Sequence, residues 1–432
     1  MVSWSQSGPA NLLPKQKEGV DVKTTQVQRK SLKDYEPFIE SDLLESILKL
    51  SSELRGLRVL HVNATSFGGG VAEILHTLIP LMKDCGLNVD WKVIDAPSRF
   101  FDLTKRMHNA LQGKEDRLSD EDRDLFENVS KDNASFIKPG EYDIAVIHDP
   151  QPVGLPAFAD FGSCRLVWRC HIDTSSPNRV FWDYLNGFLS YYNAAVFTLK
   201  DYAKDGISID KIYEIPPSID PLSNKNRELS KEEMQQALRK LGIESGKPVI
   251  TQVSRFDPWK DPLGVVDAYR KLKERFRELQ LLLIGSMASD DPEGWKIYED
   301  LLRYSGMDYD IKVLSNFQNI SDIEVNAAQR VSKVVLQKSL REGFALTVSE
   351  AMWKKTPVVG GNVGGIPLQV HHGINGYLVE TVEDTIEYTG RILDDPVLAK
   401  EMGNKGYEIV KKDFLSTRHL HQYLQLFRDL TN

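Results

Sequence analysis

The chain has 432 residues, of which 41% are hydrophobic and 27% charged, and its formal net charge at pH 7 is -8. This length predicts two or three domains, and the composition is that of neither a disordered nor a fibrous protein. An acidic chain is poorly suited to a nucleic-acid backbone or an anionic membrane, so we expect neither as a partner.

The three cysteines, Cys85, Cys164 and Cys170, form no CxxC pair. Their odd number is typical of a reducing compartment and argues against a disulfide scaffold or a four-cysteine zinc site. The polar amino-terminal stretch differs from a secretory signal, and no run of about 18 apolar residues occurs. We therefore expect a cytoplasmic protein without a metal site of its own.

The first half of the chain predicts strands that alternate with helices. The strand LRVLHVNAT runs into the glycine loop Gly68, Gly69 and Gly70, and the helix VAEILHTLIPLMKDCG follows. Further predicted strands are VDWKVIDA, YDIAVIHDP, RLVWRCHID and AAVFTL. Such alternation implies a parallel sheet with helices on both faces.

Three prolines in the segment 215–221 predict a linker, after which the same plan is repeated. The second set of predicted strands is PVITQVSRF, LQLLLIGSM, IKVLSN, KVVLQKS, TPVVGGN and GYLVE. We therefore predict an α/β fold with two Rossmann-like parallel-sheet domains, 1–215 and 216–413, that face a central cleft. The last helix, 414–432, is expected to pack back on the first domain. Parallel sheets bind ligands beyond the carboxyl ends of their strands, so the residues after the strands are the candidates.

The strongest motif is EGFALTVSEA, residues 342–351, which follows the strand KVVLQKS and leads into a helix. Its two glutamates fall in the loop and about one turn into the helix. One carboxylate can then accept from a sugar hydroxyl and the other from a ribose, while free amides at the helix start face a phosphate. The alternative is a helix-entry acid and a solvated acid. The predicted donor-binding residues here are Glu342, Gly343, Phe344, Ala345, Leu346 and Glu350.

A second motif, SRFDPWK at residues 254–260, follows the strand PVITQV. Arg255 and Lys260 flank a proline-containing turn and can converge on one diphosphate. A plain surface loop is the alternative, but both residues share a sheet edge with the glutamate motif. In the first half, the glycine loop offers bare amides to a phosphate or else forms a tight turn.

Together these parts resemble the GT-B class of retaining glycosyltransferases, in particular family 4, across nearly the whole chain. The stretches HVNATSFGGGVAEILH, WRCHIDTSSPN and REGFALTVSEAMWK are similar to the trehalose glycosyltransferring synthases, which join a nucleoside-diphosphate glucose to glucose. Ala345 departs from the family pattern, because many relatives carry glycine at that position.

The resemblance implies roles for individual residues. It places His171 near the reacting sugar, Asp149 opposite the acceptor, and Arg255 with Lys260 on the leaving diphosphate. A hydrogen-bonded core histidine is the alternative for His171, and we predict a structural role for His148. The candidates for the acceptor hydroxyls are His108, Asn109 and Gln112, and the segment 313–316, with Asn316, is the candidate wall of the nucleobase site.

The predicted substrates are a nucleoside-diphosphate glucose, either ADP- or UDP-glucose, and free glucose. The predicted product is α,α-trehalose, formed with retention in a reaction that could run in both directions. No cofactor is required, although Mg²⁺ could accompany the nucleotide-sugar. A homodimer is one open option for the assembly, because dimers are the commonest soluble oligomers.

Three alternatives stay open from the sequence. Glucose 6-phosphate would need a cationic clamp, which Arg99, Lys105 and Arg106 could supply, and the protein would then be a trehalose-6-phosphate synthase or another family 4 retaining transferase. A nicotinamide-dependent dehydrogenase shares the glycine turn, but Glu73 stands where its fingerprint needs a third glycine. The remaining alternative is a sugar-binding clamp without turnover.

Overall fold

The computed structural model describes residues 24–138, 140–244, 246–287 and 292–432. They form two six-stranded parallel sheets, which confirms the predicted fold class. The first sheet contains β1 (Arg58–Asn63), β2 (Asn88–Val93), β3 (Ile144–His148), β4 (Arg165–Arg169), β5 (Ala194–Phe197) and β6 (Ile212–Glu214). The second contains β7 (Val249–Arg255), β8 (Gln280–Ser286), β9 (Ile311–Ser315), β10 (Val334–Gln337), β11 (Val358–Gly361) and β12 (Gly376–Val379).

Helices cover both faces of each sheet. Those of the first unit are α1 (Ser41–Glu53), α2 (Gly70–Asp84), α3 (Ser98–Leu111), α4 (Asp120–Ala134) and α5 (Arg179–Leu189). Those that follow are α6 (Lys231–Leu241), α7 (Pro262–Arg275), α8 (Pro292–Ser305), α9 (Asp322–Val331), α10 (Leu346–Trp353), α11 (Ile366–Gln369), α12 (Val382–Asp394), α13 (Pro396–Asp413) and α14 (Ser416–Thr431). Within the described ranges, no helix combines the length and the apolar character that crossing a membrane requires.

The strand orders place one topological switch point in each sheet. The first sheet runs β2-β1-β3-β4-β5-β6, so the next two strands of the chain, β2 and β3, lie on opposite sides of β1. The second runs β12-β11-β10-β7-β8-β9, so its order reverses between β7 and β10. Open parallel sheets bind ligands in the crevice outside such a point. The glycine loop follows β1 and Asp149 follows β3, while the motif 254–260 begins at the end of β7 and the motif 342–351 follows β10.

Alternating side chains of each strand enter cores on opposite faces of the sheet, as the pleat requires. Leu60 and Val62 of β1 join the cluster with α3 and α5, whereas Val59 joins the cluster with α2. This second cluster also contains six residues of the carboxyl-terminal helix α14, among them Leu420 and Phe427. Helix α14 therefore packs on the first sheet, while the boundaries 1–215 and 216–413 stay a prediction.

Two local features add to the sequence expectation. The three-residue strand β6 was not predicted, since so short a segment before two prolines has no visible periodicity. A second feature is the start of helix α6 at Lys231, which follows a predicted linker and is fixed because the hydroxyl of Ser230 accepts from the Glu233 amide and the Glu233 carboxylate accepts in return from the Ser230 amide.

Candidate active site

The loop after β7 is shaped by its own side chains. Asp257 accepts from the amide of Trp259 at 2.8 Å and from Nη2 of Arg255 at 3.2 Å. The carbonyl of Lys260 accepts from Nε2 of Gln252 at 2.7 Å. These bonds fix the turn so that both cations lie beyond the carboxyl end of β7. The Arg255 side chain is 61% exposed and is thus available to a ligand.

Lys260 and Glu342 join the two loops at the second switch point. Nζ of Lys260 donates to Oε2 of Glu342 at 2.6 Å, and the side chains are only 15% and 11% exposed. The same carboxylate oxygen accepts from the Ser339 hydroxyl at 3.1 Å and from Nε2 of Gln337 at 3.4 Å. Charge-assisted bonds of this kind hold both groups in one position before any substrate arrives.

Helix α10 carries the second half of the glutamate motif. It begins at Leu346 after Ala345, whose φ of 68° lies in the left-handed region that usually needs glycine. Glu350 is 1% exposed, and its Oε2 accepts from Nε2 of Gln329 at 3.2 Å. Phe344 is buried in the core below this helix. The second glutamate is therefore a buried, partnered carboxylate and not the solvated acid of the alternative interpretation.

In the first sheet, Asp149 and His171 are joined through the backbone. Asp149 follows β3 with a φ of 62°, and its Oδ1 accepts from the amide of His171 at 2.8 Å. Burial raises the pKa of Asp149 to about 6, although the bond from His171 and the charge of Arg169 oppose the shift. The carboxyl group is thus poised to titrate close to neutral pH.

Three histidine rings form a row that ends at His171. Nδ1 of His61 lies 3.0 Å from Nε2 of His148, and Nδ1 of His148 lies 3.3 Å from Nε2 of His171. Burial lowers the pKa of His61 to about 3 and those of His148 and His171 well below the usual range, and the cation of Arg169 adds to the last two shifts. The row is therefore neutral, and His148 is buried at 2% exposure while its structural role stays a prediction.

Glycines allow the carboxyl edges of the two sheets to meet closely. We call this zone, where Gly70 meets Leu346 and Gly343 meets His171, the junction. Gly68 and Gly69 have φ values of 71° and 92°. A Cβ on Gly70 would lie 3.0 Å from Cδ1 of Leu346, and one on Gly343 would lie 2.9 Å from the carbonyl oxygen of His171. Larger residues would push the two units apart at this point.

The acceptor candidates lie at the end of α3, on the first-unit side of the junction. Nε2 of Gln112 is 3.0 Å from Nδ1 of His108. Burial lowers the pKa of His108 to about 4, and the positive charges of Arg255 and Lys260 lower it further. His108 therefore faces the cationic loop of the other unit as a neutral ring. Asn109 also contributes a hydrogen bond to His108.

Asn316 differs from the other donor candidates in how its amide is used. Its Oδ1 accepts from the Met287 amide at 2.9 Å and its Nδ2 donates to the Met287 carbonyl at 3.1 Å. The side chain therefore ties the end of β8 to the end of β9. A nucleobase contact by this residue stays a prediction.

Several junction residues carry no signal in the sequence. The Tyr202 hydroxyl donates to the carbonyl of Gly343 at 3.0 Å, and Arg341 donates to the carbonyl of Gln112 while its guanidinium lies 4.6 Å from the centre of the Trp259 ring. Lys225 donates to Glu73 across the units at 2.6 Å. These contacts depend on how the two units dock. Of the side chains not predicted for the site, the sequence singles out only Glu73, which stands in place of the third glycine of a dinucleotide-binding fingerprint.

No group of three or more histidine, cysteine or acidic side chains suited to a metal ion occurs in the described part of the chain.

Comparison with known proteins identifies both halves of the chain. A model of the trehalose synthase N-terminal domain matches residues 61–204, and a model of group 1 glycosyl transferases matches residues 233–409. The trehalose synthase of Thermococcus litoralis is 49% identical over 398 residues, which cover 92% of this chain and 96% of the relative. That of Rubrobacter xylanophilus is 47% identical over 405 residues, or 93% and 97% of the two chains.

The fold has counterparts among solved structures. A UDP-forming trehalose-phosphate synthase from Burkholderia xenovorans superposes with a TM-score of 0.68 at 15% identity, over 87% of this chain and all of the other. That identity establishes the shared GT-B architecture only. The similarity to the curated relatives removes the dehydrogenase and the clamp without turnover, and the chain belongs to the trehalose synthase family of GT-B glycosyltransferases.

Proposed function

We propose that this glycosyltransferase moves glucose, with retention, from a nucleoside-diphosphate glucose to the anomeric hydroxyl of free glucose and so forms α,α-trehalose. The observation that carries the proposal is the meeting of Lys260 and Glu342 at 2.6 Å at the second switch point. In this proposal Lys260 is the diphosphate cation and Glu342 the sugar-binding carboxylate. The proposal is supported by the neighbouring Gly343, where a Cβ would lie 2.9 Å from the carbonyl oxygen of His171 in the first unit. ADP- and UDP-glucose are both candidate donors.

The leaving diphosphate gains negative charge as the glycosidic bond breaks. Lys260 is already held in place, and the exposed Arg255 can complete the clamp when the donor binds. Fixed cations aimed at developing charge stabilise a transition state more than a ground state. Glu350 is assigned to the ribose hydroxyls, Glu342 to the donor glucose, and the amides near Gly343 and Leu346 to the phosphate.

Retention without a carboxylate nucleophile requires that the acceptor attack on the face that the diphosphate leaves. The departing phosphate oxygen then takes the proton of the acceptor hydroxyl. His171 holds the donor sugar by hydrogen bonding, and Asp149, fixed by the His171 amide at 2.8 Å, orients the acceptor. His108, Asn109 and Gln112 are available for the other acceptor hydroxyls.

Two ion pairs of Arg106 favour free glucose over glucose 6-phosphate as the acceptor. Nε of Arg106 lies 3.0 Å from Asp116 and Nη1 lies 3.1 Å from Asp122. The bond to Arg106 is the main factor that lowers the pKa of Asp116, so this guanidinium is already neutralised within its own unit. A phosphate clamp that depended on Arg106 would have to break both ion pairs. Trehalose-6-phosphate synthesis therefore remains the less favoured alternative.

A proton NMR time course tests the proposal. The protein is incubated with ADP-glucose or UDP-glucose and either glucose or glucose 6-phosphate, with Lys260→Ala as the impaired control. We expect α,α-trehalose from free glucose, identified by the small coupling of its single anomeric signal. A β-linked product, or turnover with glucose 6-phosphate alone, would overturn the assignment.

A further inference from the structure

The ammonium of Lys225 lies between two carboxylates that belong to different units. Nζ donates to Oε2 of Glu73 at 2.6 Å and lies 3.9 Å from Oε1 of Glu350. Glu73 stands in the first turn of α2, directly after the glycine loop, whereas Glu350 stands on α10. Lys225 itself lies between β6 and α6, in the segment that connects the units.

Water reaches this group of charges from the side of Glu73. Glu350 is 1% exposed, the Lys225 side chain 24% and the Glu73 side chain 35%. Burial and the charge of Glu350 raise the pKa of Glu73, while Lys225 opposes this rise. Burial alone would lower the pKa of Lys225, but Glu350 and Glu73 raise it above its usual value. Without the ammonium, two carboxylates would oppose each other across the junction, where solvent screens Glu73 in part and the buried Glu350 much less.

The surrounding charged groups do not replace Lys225. Nζ of Lys354 donates to the carbonyl of Glu350 and to Oδ1 of Asn226, at 2.9 and 2.8 Å. Burial, with Arg330 and Lys225 adding to it, lowers the pKa of Lys354 to about 7 although the charge of Glu350 opposes the shift, so this amine is only partly charged at neutral pH in the wild-type protein. Asp322 adds further negative potential, since it raises the pKa of both Glu73 and Lys225.

We propose that Lys225 is a positioning residue that acts as the counter-ion for closure of the junction: it neutralises Glu73 of the first unit and Glu350 of the second, so that the ribose carboxylate can meet the glycine loop around a bound nucleotide. The inference deepens the proposed function, because it rests on the assignment of Glu350 to the ribose. Its consequence is that nucleotide affinity depends on charge balance across the units and not on a direct contact by Lys225.

Calorimetric titration with ADP and with UDP tests this balance. Lys225→Met leaves the two carboxylates unneutralised, and we expect the Kd of the preferred nucleotide to rise on the order of tenfold to a hundredfold. Lys225→Met/Glu73→Gln removes one charge of each sign and is expected to bind close to wild type, as is Lys225→Arg. The exposed Lys271, paired only with Glu274 on α7, gives the matched control Lys271→Met, which should not change the Kd.

The pH dependence supplies a second measurement. Burial and the charge of Glu350 raise the pKa of Glu73, and Lys225→Met lacks the ammonium that opposes this rise, so the defect of the variant should become smaller as the pH falls. A purely structural role of the lysine would give a defect that is independent of pH and that the Glu73→Gln change does not relieve. Either result would overturn the inference, as would wild-type affinity in Lys225→Met.

The balanced double variant also covers the case in which Lys225→Met fails to fold. It has the same net charge as the wild-type group of three and no longer sets two carboxylates against each other, and Glu350 keeps its hydrogen bond from Gln329, so the variant should fold. Tenfold weaker nucleotide binding in this variant would contradict the inference by itself. Failure of the proposed function is recognised separately. If Glu350→Gln binds both nucleotides as wild type does, the ribose assignment is wrong, whatever the Lys225 variants show.

Discussion

The ammonium of Lys260 and the carboxylate of Glu342 lie 2.6 Å apart, and this pair connects the loop after β7 with the loop after β10. Ser339 and Gln337 donate to the same oxygen, so Glu342 has partners besides the lysine. The ion pair holds the ammonium at the edge of the second sheet, where we propose that the leaving diphosphate lies.

We predict that Lys260→Ala and Arg255→Ala each lower kcat on the order of 10²- to 10³-fold, as does the loss of an oxyanion donor in other enzymes. The reason is that both cations are proposed to stabilise the leaving diphosphate, whose negative charge is greater in the transition state than in the bound donor. Steady-state kinetics with saturating donor and acceptor measures the effect. Near-normal kcat in either variant would show that the diphosphate lies elsewhere.

The Lys260 variant should also expose Glu342 as an unpaired charge. We therefore expect Lys260→Met/Glu342→Gln to bind the nucleoside-diphosphate glucose better than Lys260→Met alone, since the carboxylate no longer repels the phosphates. The KM of the donor measures this difference. Equal KM values in the two variants would mean that the ion pair does not face the phosphates.

Substitution of Glu350 should impair nucleotide binding, whereas substitution of Glu342 should impair turnover. Glu350→Gln is expected to weaken binding of free ADP or UDP about tenfold or more, since a hydrogen bond to a charged group contributes roughly 1.5 to 3 kcal/mol. Glu342→Gln should leave that affinity unchanged and lower kcat, because its proposed partner is the transferred sugar. Calorimetry and kinetics on both variants separate the two roles, and the same defect in both would contradict the assignment.

The two motifs after β7 and β10 could be located from the sequence because local patterns encode them. Parallel strands bring their carboxyl ends to one edge, so the adjacency of Lys260 and Glu342 followed once the strands were recognised. Lys225, Tyr202 and Arg341 could not be located in this way. Each makes a contact across the junction, and the docking of two units depends on surface shape that no periodicity or spacing reveals.

The pKa of Asp149, raised by burial to about 6, predicts a pH dependence of activity. Only in the ionised carboxylate do both oxygens accept, one from the His171 amide and the other from a hydroxyl of the glucose acceptor. The kcat/KM for glucose should therefore fall as the pH drops through about 6. In Asp149→Asn this step should disappear, while the amide oxygen still accepts from the His171 amide. A pH–rate profile of both proteins decides the matter, and an unchanged step in the variant would assign it to another group.

The same shift has a consequence for stability. An unfolded aspartate has a pKa of about 3.9, so the folded protein binds more protons between that value and about 6. Asp149 therefore costs stability as the pH rises through this window. Above pH 7, Asp149→Asn should raise the free energy of unfolding on the order of 1 to 3 kcal/mol, and the gain should vanish near pH 4. Denaturant titrations at the two pH values measure it.

The row of imidazoles leads to a prediction for His148, which touches no proposed substrate position. Its nitrogens lie 3.0 Å from His61 and 3.3 Å from His171. A neutral imidazole has one donor and one acceptor nitrogen, so we expect His148 to set which nitrogen of His171 carries the proton and is available to the proposed donor sugar. His148→Phe keeps the aromatic bulk and removes both bonds, whereas His148→Gln keeps one donor and one acceptor.

We expect His148→Phe to lower kcat about tenfold, equivalent to about 1.4 kcal/mol, because His171 loses the partner that sets its orientation. His148→Gln should recover most of this loss, and the KM of the donor should change less than kcat in both variants. A Tm close to wild type shows that packing is intact in each. If the Phe variant turns over normally, His171 does not need its neighbour, and if the Gln variant is as slow as the Phe variant, the ring itself and not its hydrogen bonds supports the site.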